Sequence, residues 1–491
     1  MPLLSRPPCP SRLAAALAAA ACLLAPTVEA ASSAPKTMPT QRTWTVVETA
    51  RDNSHRLFPM AGPRPTPDHG GDAAIICNPA ESFQAIEGFG GALTESTAWV
   101  LEQLPKSRRN AILAAYFNPD DGLGYTLVRS HINSCDFSLS TWSLDDTPGD
   151  TTLSHFTLAP MRRWLLPVLH EAIATPGAHI RFLFSPWSPP AWMKTNGSMT
   201  HGGELRADCR DTWARFVVKF VEEMKSKEHI PVWALTVQNE PAANQVWESC
   251  LYSAAQERDF VRDHLGPALH AAGLDGVHLL VHDHNRDILD ERAGTILSDP
   301  AAAKYVWGSA LHWYVSEDFA ASSRLHARFP DKHILFTEGC WEGGVKLGKW
   351  DRGERYARNM IGDLRNWVCG WIDWNMVLDS TGGPNHVGNL CDSPVIVDLK
   401  TGEVTFQSSF YYIGQFSRFV HPGAVRIGST AQFGNLESIA FRNPDGSLAI
   451  IVFNPSDNPA HFALRIEGSQ LDCFIPEHAI QTYVGSVPLS Q

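Results

Sequence analysis

Two glutamates stand at the ends of apolar runs that have the composition of buried strands. Glu240 closes the run that begins at Val232, and Glu338 closes the run that begins at His333. In a barrel of parallel strands the catalytic groups stand at the C-terminal ends of the strands, so both residues would face one mouth. Two carboxylates are what hydrolysis of a glycosidic bond requires. The placement therefore predicts a carbohydrate-cleaving acid pair, against the alternative that each Glu only caps the helix after its strand.

The neighbours of Glu240 favour the catalytic interpretation. Asn239 sets a side-chain amide beside the acid, and Pro241 fixes the direction in which the chain leaves the strand. An amide in this position can hold a sugar hydroxyl.

The remaining apolar runs predict the elements that would position these groups. Eight of them alternate with amphipathic helical patterns, and eight is the number of strands that closes a (β/α)8 TIM barrel. The predicted barrel strands are Phe83 to Phe89, Tyr125 to Ser130, Ile180 to Ser185, Val232 to Val237, Val277 to Val281, Ser309 to Trp313, Ile334 to Thr337 and Gly370 to Trp374. The clearest helices of the outer ring are predicted at Thr212 to Lys225, Ala254 to Ala272 and Arg355 to Val368.

Both ends of the chain are rich in strands outside this repeat. After a last helix at Ser409 to Val420, five further strands follow, with a hairpin turn at Asn443-Pro444-Asp445-Gly446. Two N-terminal strands, Thr43 to Thr49 and Ala73 to Cys77, are expected to join them. The sequence therefore predicts an α/β fold with a TIM barrel over residues 78–420 and an accessory all-β, sandwich-like domain built from residues 31–77 and 421–491. Structural support of the barrel is favoured for this domain over sugar binding.

Composition limits the classes of partner and the location of the protein. The chain has 491 residues and a net charge of -12, and it has no basic face for nucleic acid. In residues 1–30, Arg6 and Arg12 precede the apolar stretch Leu13 to Leu24, and Val28-Glu29-Ala30 offers a cleavage site. These features predict a signal peptide and a secreted or periplasmic protein. No later segment approaches the roughly 20 apolar residues that a membrane span needs, so integral membrane association is not expected.

Eight of the ten cysteines would remain after removal of the signal peptide, without CxxC or zinc-ligand spacing. Disulfides are permitted but not required. Cys135 and Cys340 fall beside strand ends, where a nucleophile is conceivable, but we predict that both are small buried hydrophobes.

Seven motifs in order resemble glycoside hydrolase family 30, particularly its glucosylceramidase branch, over nearly the whole mature chain. They are Gly88-Phe89-Gly90-Gly91, Ser134-Cys135-Asp136-Phe137-Ser138, Ser185-Pro186-Trp187-Ser188, Thr236-Val237-Gln238-Asn239-Glu240-Pro241, His312-Trp313-Tyr314, Thr337-Glu338 and Asp373-Trp374-Asn375. The resemblance implies a retaining β-glycosidase in which Glu240 is the acid/base and Glu338 the nucleophile. It also implies that neither a metal nor an organic cofactor is needed.

The chemistry of a retaining pair sets further expectations. The two carboxyl groups should lie about 5 Å apart, so that Glu338 can form a covalent glycosyl-enzyme while Glu240 protonates the leaving oxygen. The neighbouring anion should raise the pKa of Glu240. Asn239 is expected to bond the sugar 2-hydroxyl.

The same resemblance implies roles for six other residues, and the position of Arg129 at the end of the second strand suggests a role for a seventh. Four are expected to hold the first sugar, namely Asp136, Trp187, Trp374 and Asn389. His312 and Tyr314 are expected to frame the nucleophile, although each aromatic could also be an ordinary core residue. Arg129 could pair with a carboxylate of the site and favour an ionised Glu338, or form a structural ion pair.

The predicted substrate is a terminal β-glucoside, with glucosylceramide or a related glycolipid preferred and transient contact with a lipid surface allowed. The family alternatives are β-1,6-glucan and β-xylosides. Two interpretations from other classes remain. His282-Asp283-His284 together with His312 could indicate a barrel metallohydrolase, and an inactive sugar-binding protein could keep the same fold.

Overall fold

The computed structural model describes residues 44–68, 70, 74–430 and 432–486. The predicted signal peptide and Thr43 lie outside these residues. The strands, in chain order, are β1 Thr45–Ala50, β2 Phe58–Ala61, β3 Thr66–Pro67, β4 Ala74–Ala85, β5 Gly88–Ala92, β6 Leu127–Ile132, β7 Arg181–Pro186, β8 Val232–Thr236, β9 His278–Asn285, β10 Gly308–His312, β11 His333–Glu338, β12 Val368–Asn375, β13 Val377–Asp379, β14 Val395–Asp398, β15 Glu403–Phe406, β16 Val425–Ser429, β17 Gln432–Phe433, β18 Leu436–Arg442, β19 Leu448–Asn454, β20 Ala460–Ile466, β21 Ser469–Ile475 and β22 Ala479–Gly485.

The α-helices begin after β5 and end before β16. In chain order they are α1 Glu95–Glu102, α2 Lys106–Phe117, α3 Ala159–Arg162, α4 Leu165–Ile173, α5 Arg210–Lys227, α6 Ala254–Phe260, α7 Gly266–Ala271, α8 Leu289–Leu297, α9 Pro300–Ala303, α10 Ala320–Arg328, α11 Asp351–Arg365 and α12 Ser408–Ser417. A π-helical turn, Val261–Leu265, joins α6 to α7, where the sequence predicted one continuous helix. Within the described residues, no helix combines the length and apolar character that a membrane crossing requires.

Strands β5 to β12 close into the predicted eight-stranded parallel barrel, each paired with its neighbours in sequence and β12 paired with β5. One layer of the barrel interior is filled by small and branched side chains, all buried, from Leu127, Leu183, Ala234, Leu280, Ala310, Leu335, Cys369 and Ile372. The barrel is therefore a packed core that carries its chemistry only at its rim.

The prediction of the first barrel strand is wrong. Residues 83–85 end the long strand β4 of the accessory sheet, and the barrel begins at β5, Gly88–Ala92. Phe83 packs under the guanidinium of Arg426 at 3.6 Å and against Trp367. The apolar pattern favoured Phe83 because β5 is rich in glycine. At Gly90 a Cβ would lie 1.8 Å from the carbonyl oxygen of Leu127, so only glycine allows β5 to approach β6 this closely.

The two ends of the chain join in one eleven-stranded sheet beside the barrel. Strand β1 pairs antiparallel with β22, and β4 pairs antiparallel with β16 and parallel with β20. The all-β domain formed from both ends is thus confirmed. The pattern missed β2, β3, β17 and β21, and it also missed the small sheet β13-β14-β15 that follows the last barrel strand.

Candidate active site

The two predicted acids reach one mouth of the barrel by different routes. Glu338 is the last residue of β11. Glu240 lies beyond the end of β8, in a turn where its own φ is 45°, a left-handed value that side chains other than glycine seldom adopt. The turn is held because the amide of Glu240 donates to the carbonyl of Asp283 at 3.0 Å and that of Asn239 to the carbonyl of Pro186 at 2.8 Å. The position of Glu240 is therefore fixed by hydrogen bonds to the neighbouring strands β7 and β9, and not by the strand β8 that precedes it.

The carboxylates lie at the separation of a retaining pair. One oxygen of Glu240, one oxygen of Glu338 and a ring nitrogen of His312 all lie within 4.8 Å of one another. Retaining glycosidases hold their carboxyl groups about 5–5.5 Å apart, whereas inverting enzymes need about 6.5–9.5 Å to admit a water. This geometry suits direct attack by one carboxylate and leaves no room for the inverting arrangement.

Arg129 is the fully buried hub of the site. Its guanidinium donates to Oε2 of Glu338, to Oδ1 of Asn239 at 2.8 Å, to Oδ2 of Asp283 at 2.9 Å and, through Nε, to Ser185 at 3.1 Å. Burial alone would lower the pKa of Arg129, but the two carboxylates raise it. One fixed cation therefore orients a carboxylate, the adjacent amide and a second acid at once.

The sequence reasoning treated Asp283 only as part of a metal-binding pattern and missed its place in this network. Its Oδ1 accepts from Nε2 of His312 at 3.0 Å and from the hydroxyl of Thr337 at 2.7 Å. Burial raises the pKa of Asp283, yet Arg129 and His312 together bring it well below its usual range. The signal that could have identified it is its position at the C-terminal end of the fifth barrel strand, β9.

His312 stands between the acids. Its Nδ1 lies 3.4 Å from Oε1 of Glu240 and 4.0 Å from Oε1 of Glu338. Burial lowers the pKa of His312, but Glu338, Asp283 and Glu240 outweigh burial and raise it to about 9.

The expected rise in the pKa of Glu240 is wrong for this site. Burial does raise the pKa, but the contact with His312 and the positive charges of His312 and His284 lower it below its ordinary value. The sequence pattern did not reveal that His312 lies beside Glu240 and lowers its pKa.

Tyr314 completes the surroundings of Glu338. Its hydroxyl donates to Oε1 of Glu338 at 2.8 Å and also lies 3.6 Å from Sγ of Cys340. With Arg129 on Oε2, each oxygen of Glu338 has one donor. Cys340 and Cys135 are buried, at 3% and 0% exposure.

A cavity of about 310 Å³ opens above the acids. Its walls include Asp136, Trp374 and Asn389, where the sequence predicted sugar contacts, and His284, which the sequence offered only as a metal ligand. They also include residues that the sequence did not single out, among them Gln245, Trp247, Asn285, Val315, Glu342 and Cys391. The amide of Asn389 donates to Oδ2 of Asp136 at 3.0 Å. Burial, and then the charge of Glu338, raise the pKa of Asp136 to about 8.

Three residues with predicted roles are not among those that line the cavity. Trp187 is buried and stacks on Trp374 with ring centroids 5.3 Å apart, and Asn239 and His312 are also outside the lining. The guanidinium of Arg129 lies over the Trp187 ring, 4.8 Å from its centroid. The site is therefore a carboxylate pair braced from below by a cationic and aromatic layer.

Metal-binding residue types converge here as well. Among the residues that the structure describes, Glu240, His312 and Glu338 form the one group of three whose ligand atoms converge. His282 is not part of it, because its Nε2 lies 3.1 Å from the carbonyl of Asn285. Both oxygens of Glu338 already accept hydrogen bonds, and a protonated His312 repels a cation, so the donor set suits sugar chemistry better than a metal ion.

A TIM barrel with a close carboxylate pair at its mouth defines a glycoside hydrolase. The chain belongs to glycosyl hydrolase family 30: residues 86–420 match the TIM-barrel domain of that family, and residues 423–483 match its beta sandwich domain. The family resemblance carried by the motifs and the fold predicted from the alternating apolar runs are both confirmed.

Two relatives of different activity are similar over most of this chain. The chain is 36% identical to lysosomal acid glucosylceramidase of Mus musculus, over 92% of this chain and 90% of the relative. It is 31% identical to an endo-1,6-beta-D-glucanase of Neurospora crassa, over 80% of this chain and 83% of that protein. Among solved structures, SrfJ from Salmonella typhimurium superposes with a TM-score of 0.87 at 32% identity, covering 91% of this chain and all of that one.

Proposed function

We propose that this glycoside hydrolase releases glucose from lipid-linked β-glucosides, such as glucosylceramide, with retention of configuration. Glu338 is the nucleophile and Glu240 the acid/base. The observation that carries this proposal is the separation of at most 4.8 Å between a side-chain oxygen of each acid, with Arg129 and Tyr314 each donating to one oxygen of Glu338 and neither donating to Glu240. Two donors, one on each oxygen, orient the carboxyl group of Glu338 for attack.

In the first step, Glu338 attacks the anomeric carbon and Glu240 protonates the departing oxygen. The bond between the anomeric carbon and the aglycone breaks, and an ester to Glu338 forms. The proton that Glu240 needs is available from Nδ1 of His312, 3.4 Å away, while Nε2 of the same ring keeps its hydrogen bond to Asp283. The pair of Glu240 and His312 therefore holds one exchangeable proton between them.

In the second step, ionised Glu240 takes a proton from water, which attacks the same carbon and releases β-glucose. Ester formation has then consumed the charge of Glu338, so Arg129 faces less negative charge until hydrolysis restores it. We assign the 2-hydroxyl to Asn239, whose Oδ1 accepts from Arg129, and hydroxyls further round the ring to Asp136 and Asn389, which are joined by a hydrogen bond. Such contacts strengthen as the oxocarbenium-like transition state forms.

Exposed apolar residues in the loops after the barrel strands favour a substrate with a lipid aglycone. Three large apolar side chains there are strongly exposed: Val246 at 56%, Val315 at 66% and Leu347 at 56%. They lie in the loops that follow β8, β10 and β11, the strands associated with Glu240, His312 and Glu338. Val315 also lines the cavity, and the loops that follow barrel strands lie at the same end of the barrel, so these exposed apolar groups support an apolar ligand. The mouse relative is named a glucosylceramidase, and this activity agrees with such a substrate.

The second candidate is hydrolysis of β-1,6-glucan. It is supported by the Neurospora crassa relative and by an endo-β1,6-glucanase structure that superposes with a TM-score of 0.82 at 29% identity. A polysaccharide would leave the exposed rim valines and Leu347 without an apolar partner, which makes it the weaker proposal.

We also propose that the protein acts outside the cytoplasm and serves sphingolipid turnover. The basic and apolar pattern of residues 1–30 and the glycolipid substrate support this. Recovery of a processed chain beginning near residue 31 from outside the cytoplasm would support export, whereas an unprocessed chain found only in the cytoplasm would contradict it.

The test is turnover by the mature chain and by Glu338→Gln on an aryl β-glucoside, fluorescent glucosylceramide and β-1,6-glucan, with the first anomer followed by NMR. We expect β-glucose from the first two substrates and none from the variant. Turnover of β-1,6-glucan without glucosylceramide would favour the second candidate. Binding without turnover of any of them would indicate an inactive sugar-binding protein.

A further inference from the structure

One histidine outside the cavity ties three loops of the mouth together. Nδ1 of His386 lies 3.0 Å from the carbonyl oxygens of both Asp136 and Ser138. Nε2 lies 3.3 Å from Oε2 of Glu248. His386 belongs to the loop that carries Asn389, Asp136 to the loop after β6, and Glu248 to the loop after Glu240. The imidazole ring is therefore the point where the two sugar-facing loops meet the loop of the acid/base.

The partners of His386 determine its charge. Carbonyl oxygens only accept hydrogen bonds, so Nδ1 carries a proton. Nε2 lies 3.3 Å from Oε2 of Glu248, within ion-pair distance, and 3.5 Å from the hydroxyl of Thr141, which can donate or accept. The negative charge of Glu248 favours a second proton on Nε2, and His386 is then an imidazolium paired with a carboxylate.

Burial makes this charge necessary for Glu248. The side chain of Glu248 is 0% exposed and that of His386 13%, and Oε1 of Glu248 accepts from the hydroxyl of Ser134 at 2.7 Å. A carboxylate this deep is costly unless a cation accompanies it. The charged groups that face His386 are Glu248 and Asp136. Burial lowers the pKa of His386, but these carboxylates and the Ser138 carbonyl raise it.

We propose that the ion pair between His386 and Glu248 is a positioning pair that holds Asp136 and Asn389 where they grip the sugar. Neither member lines the cavity, so the pair acts through the two residues that do. This inference rests on the proposed function in that the ligand gripped is a glycoside.

Deprotonation of His386 at Nε2 should weaken sugar binding. When Nε2 of His386 is deprotonated, its lone pair faces the Glu248 anion, and the loops of Asp136 and Asn389 are no longer held together. Affinity for the sugar therefore falls as the pH rises through the pKa of His386. In Glu248→Gln, a neutral amide donates to deprotonated Nε2, so the same contact survives without the charge.

The test uses Glu338→Gln as the background, so that binding of an aryl β-glucoside is measured by calorimetry without turnover. The dissociation constant is followed from pH 5 to 9 in this background alone and with His386→Phe, Glu248→Gln or His270→Gln added. His270 is the matched control, because it makes an equally direct contact, 2.6 Å to Asp275, but is 68% exposed. Selective ¹⁵N-histidine NMR reports the protonation of His386 directly.

We expect His386→Phe to weaken binding about tenfold or more at pH 6, the size of a lost charge-assisted contact. The background and His270→Gln should lose affinity more steeply than Glu248→Gln as pH rises, and the change that remains in Glu248→Gln should be that of Asp136, whose pKa burial raises to about 8. Equal affinities and pH profiles in all four proteins would overturn the proposal. So would a neutral His386 at pH 6 in the NMR spectrum, even if no sugar binds. Residual turnover in the Glu338→Gln background would instead contradict the proposed function.

Discussion

At the scale of single residues, two carboxylates become different acids through the donors that each one receives. Glu338 accepts one hydrogen bond on each oxygen, from Arg129 and from Tyr314. Glu240 has Gln245 at 3.4 Å and the titratable ring of His312 at the same distance. The carboxyl group of Glu338 is thus fixed in position, and that of Glu240 lies beside a group with which it can exchange a proton.

The role of Glu240 is tested by changing the leaving group. Glu240→Gln should reduce kcat/KM about 10²- to 10⁴-fold for an alkyl or lipid β-glucoside, which needs a proton to depart. For a dinitrophenyl β-glucoside, which departs without a proton, formation of the glycosyl-enzyme should remain within about tenfold of wild type. Steady-state and burst kinetics on both substrates provide the measurement. Equal losses on both would show that Glu240 is not the acid.

The proton shared by Glu240 and His312 predicts a pH effect. The pKa of His312 is raised to about 9, so its charged form is fully present below the ordinary histidine pKa and is lost as pH rises through about 9. The basic limb of kcat/KM should therefore lie above the ordinary range of a glutamate and move to lower pH in His312→Asn, where Glu240 holds the proton alone. A limb that stays in place in the variant would exclude His312 from the proton exchange.

At the scale of elements, backbone contacts decide where the catalytic groups stand, and these were the hardest feature to predict. Glu338 follows directly from the pattern of β11, because the residue that ends a buried strand also ends its apolar run. Glu240 does not, since bonds to Asp283 and Pro186 from other strands place it beyond β8. For the same reason the network of Asp283 and His386 was missed, because both depend on contacts between loops remote in sequence.

The glycine-rich strand β5 gives a second example at this scale. Gly90→Ala should lower the free energy of unfolding by about 1–3 kcal/mol or more, because the new Cβ would force β5 away from the Leu127 carbonyl. Gly276→Ala is the matched control, since a Cβ there meets nothing within 4 Å. Urea unfolding of the two variants measures the difference. Equal midpoints would show that β5 can move away from β6 without cost.

At the scale of the whole molecule, the chain's two ends brace the barrel through its last helix. Gln415 of α12 is buried, donates to the hydroxyl of Thr49 in β1 at 3.0 Å, and accepts from Thr482 in β22 at 2.7 Å. The number and order of the barrel strands were predictable from the alternating pattern. The pairing of β1 with β22 was only foreseen in outline, because no local signal specifies partners so far apart.

This brace predicts the effect of one substitution. Gln415→Met should reduce the free energy of unfolding by about 1–3 kcal/mol, since two buried hydroxyls, those of Thr49 and Thr482, each lose one hydrogen bond. Gln103→Met, at an exposed helix end, should stay within about 0.5 kcal/mol of wild type. Thermal and urea unfolding report both values. If both variants unfold with wild type, the network does not join the sheet to the barrel.

The central claim is that Glu338 forms a covalent bond to the sugar. The most direct measurement is mass spectrometry of the protein after incubation with 2-deoxy-2-fluoro-β-glucosyl fluoride, which forms the glycosyl-enzyme but slows its hydrolysis. The account predicts a mass increase of one fluoroglucosyl unit, located on the peptide that contains Glu338 and absent in Glu338→Gln. Label on another residue, or first release of α-glucose from an ordinary substrate without label, would contradict it.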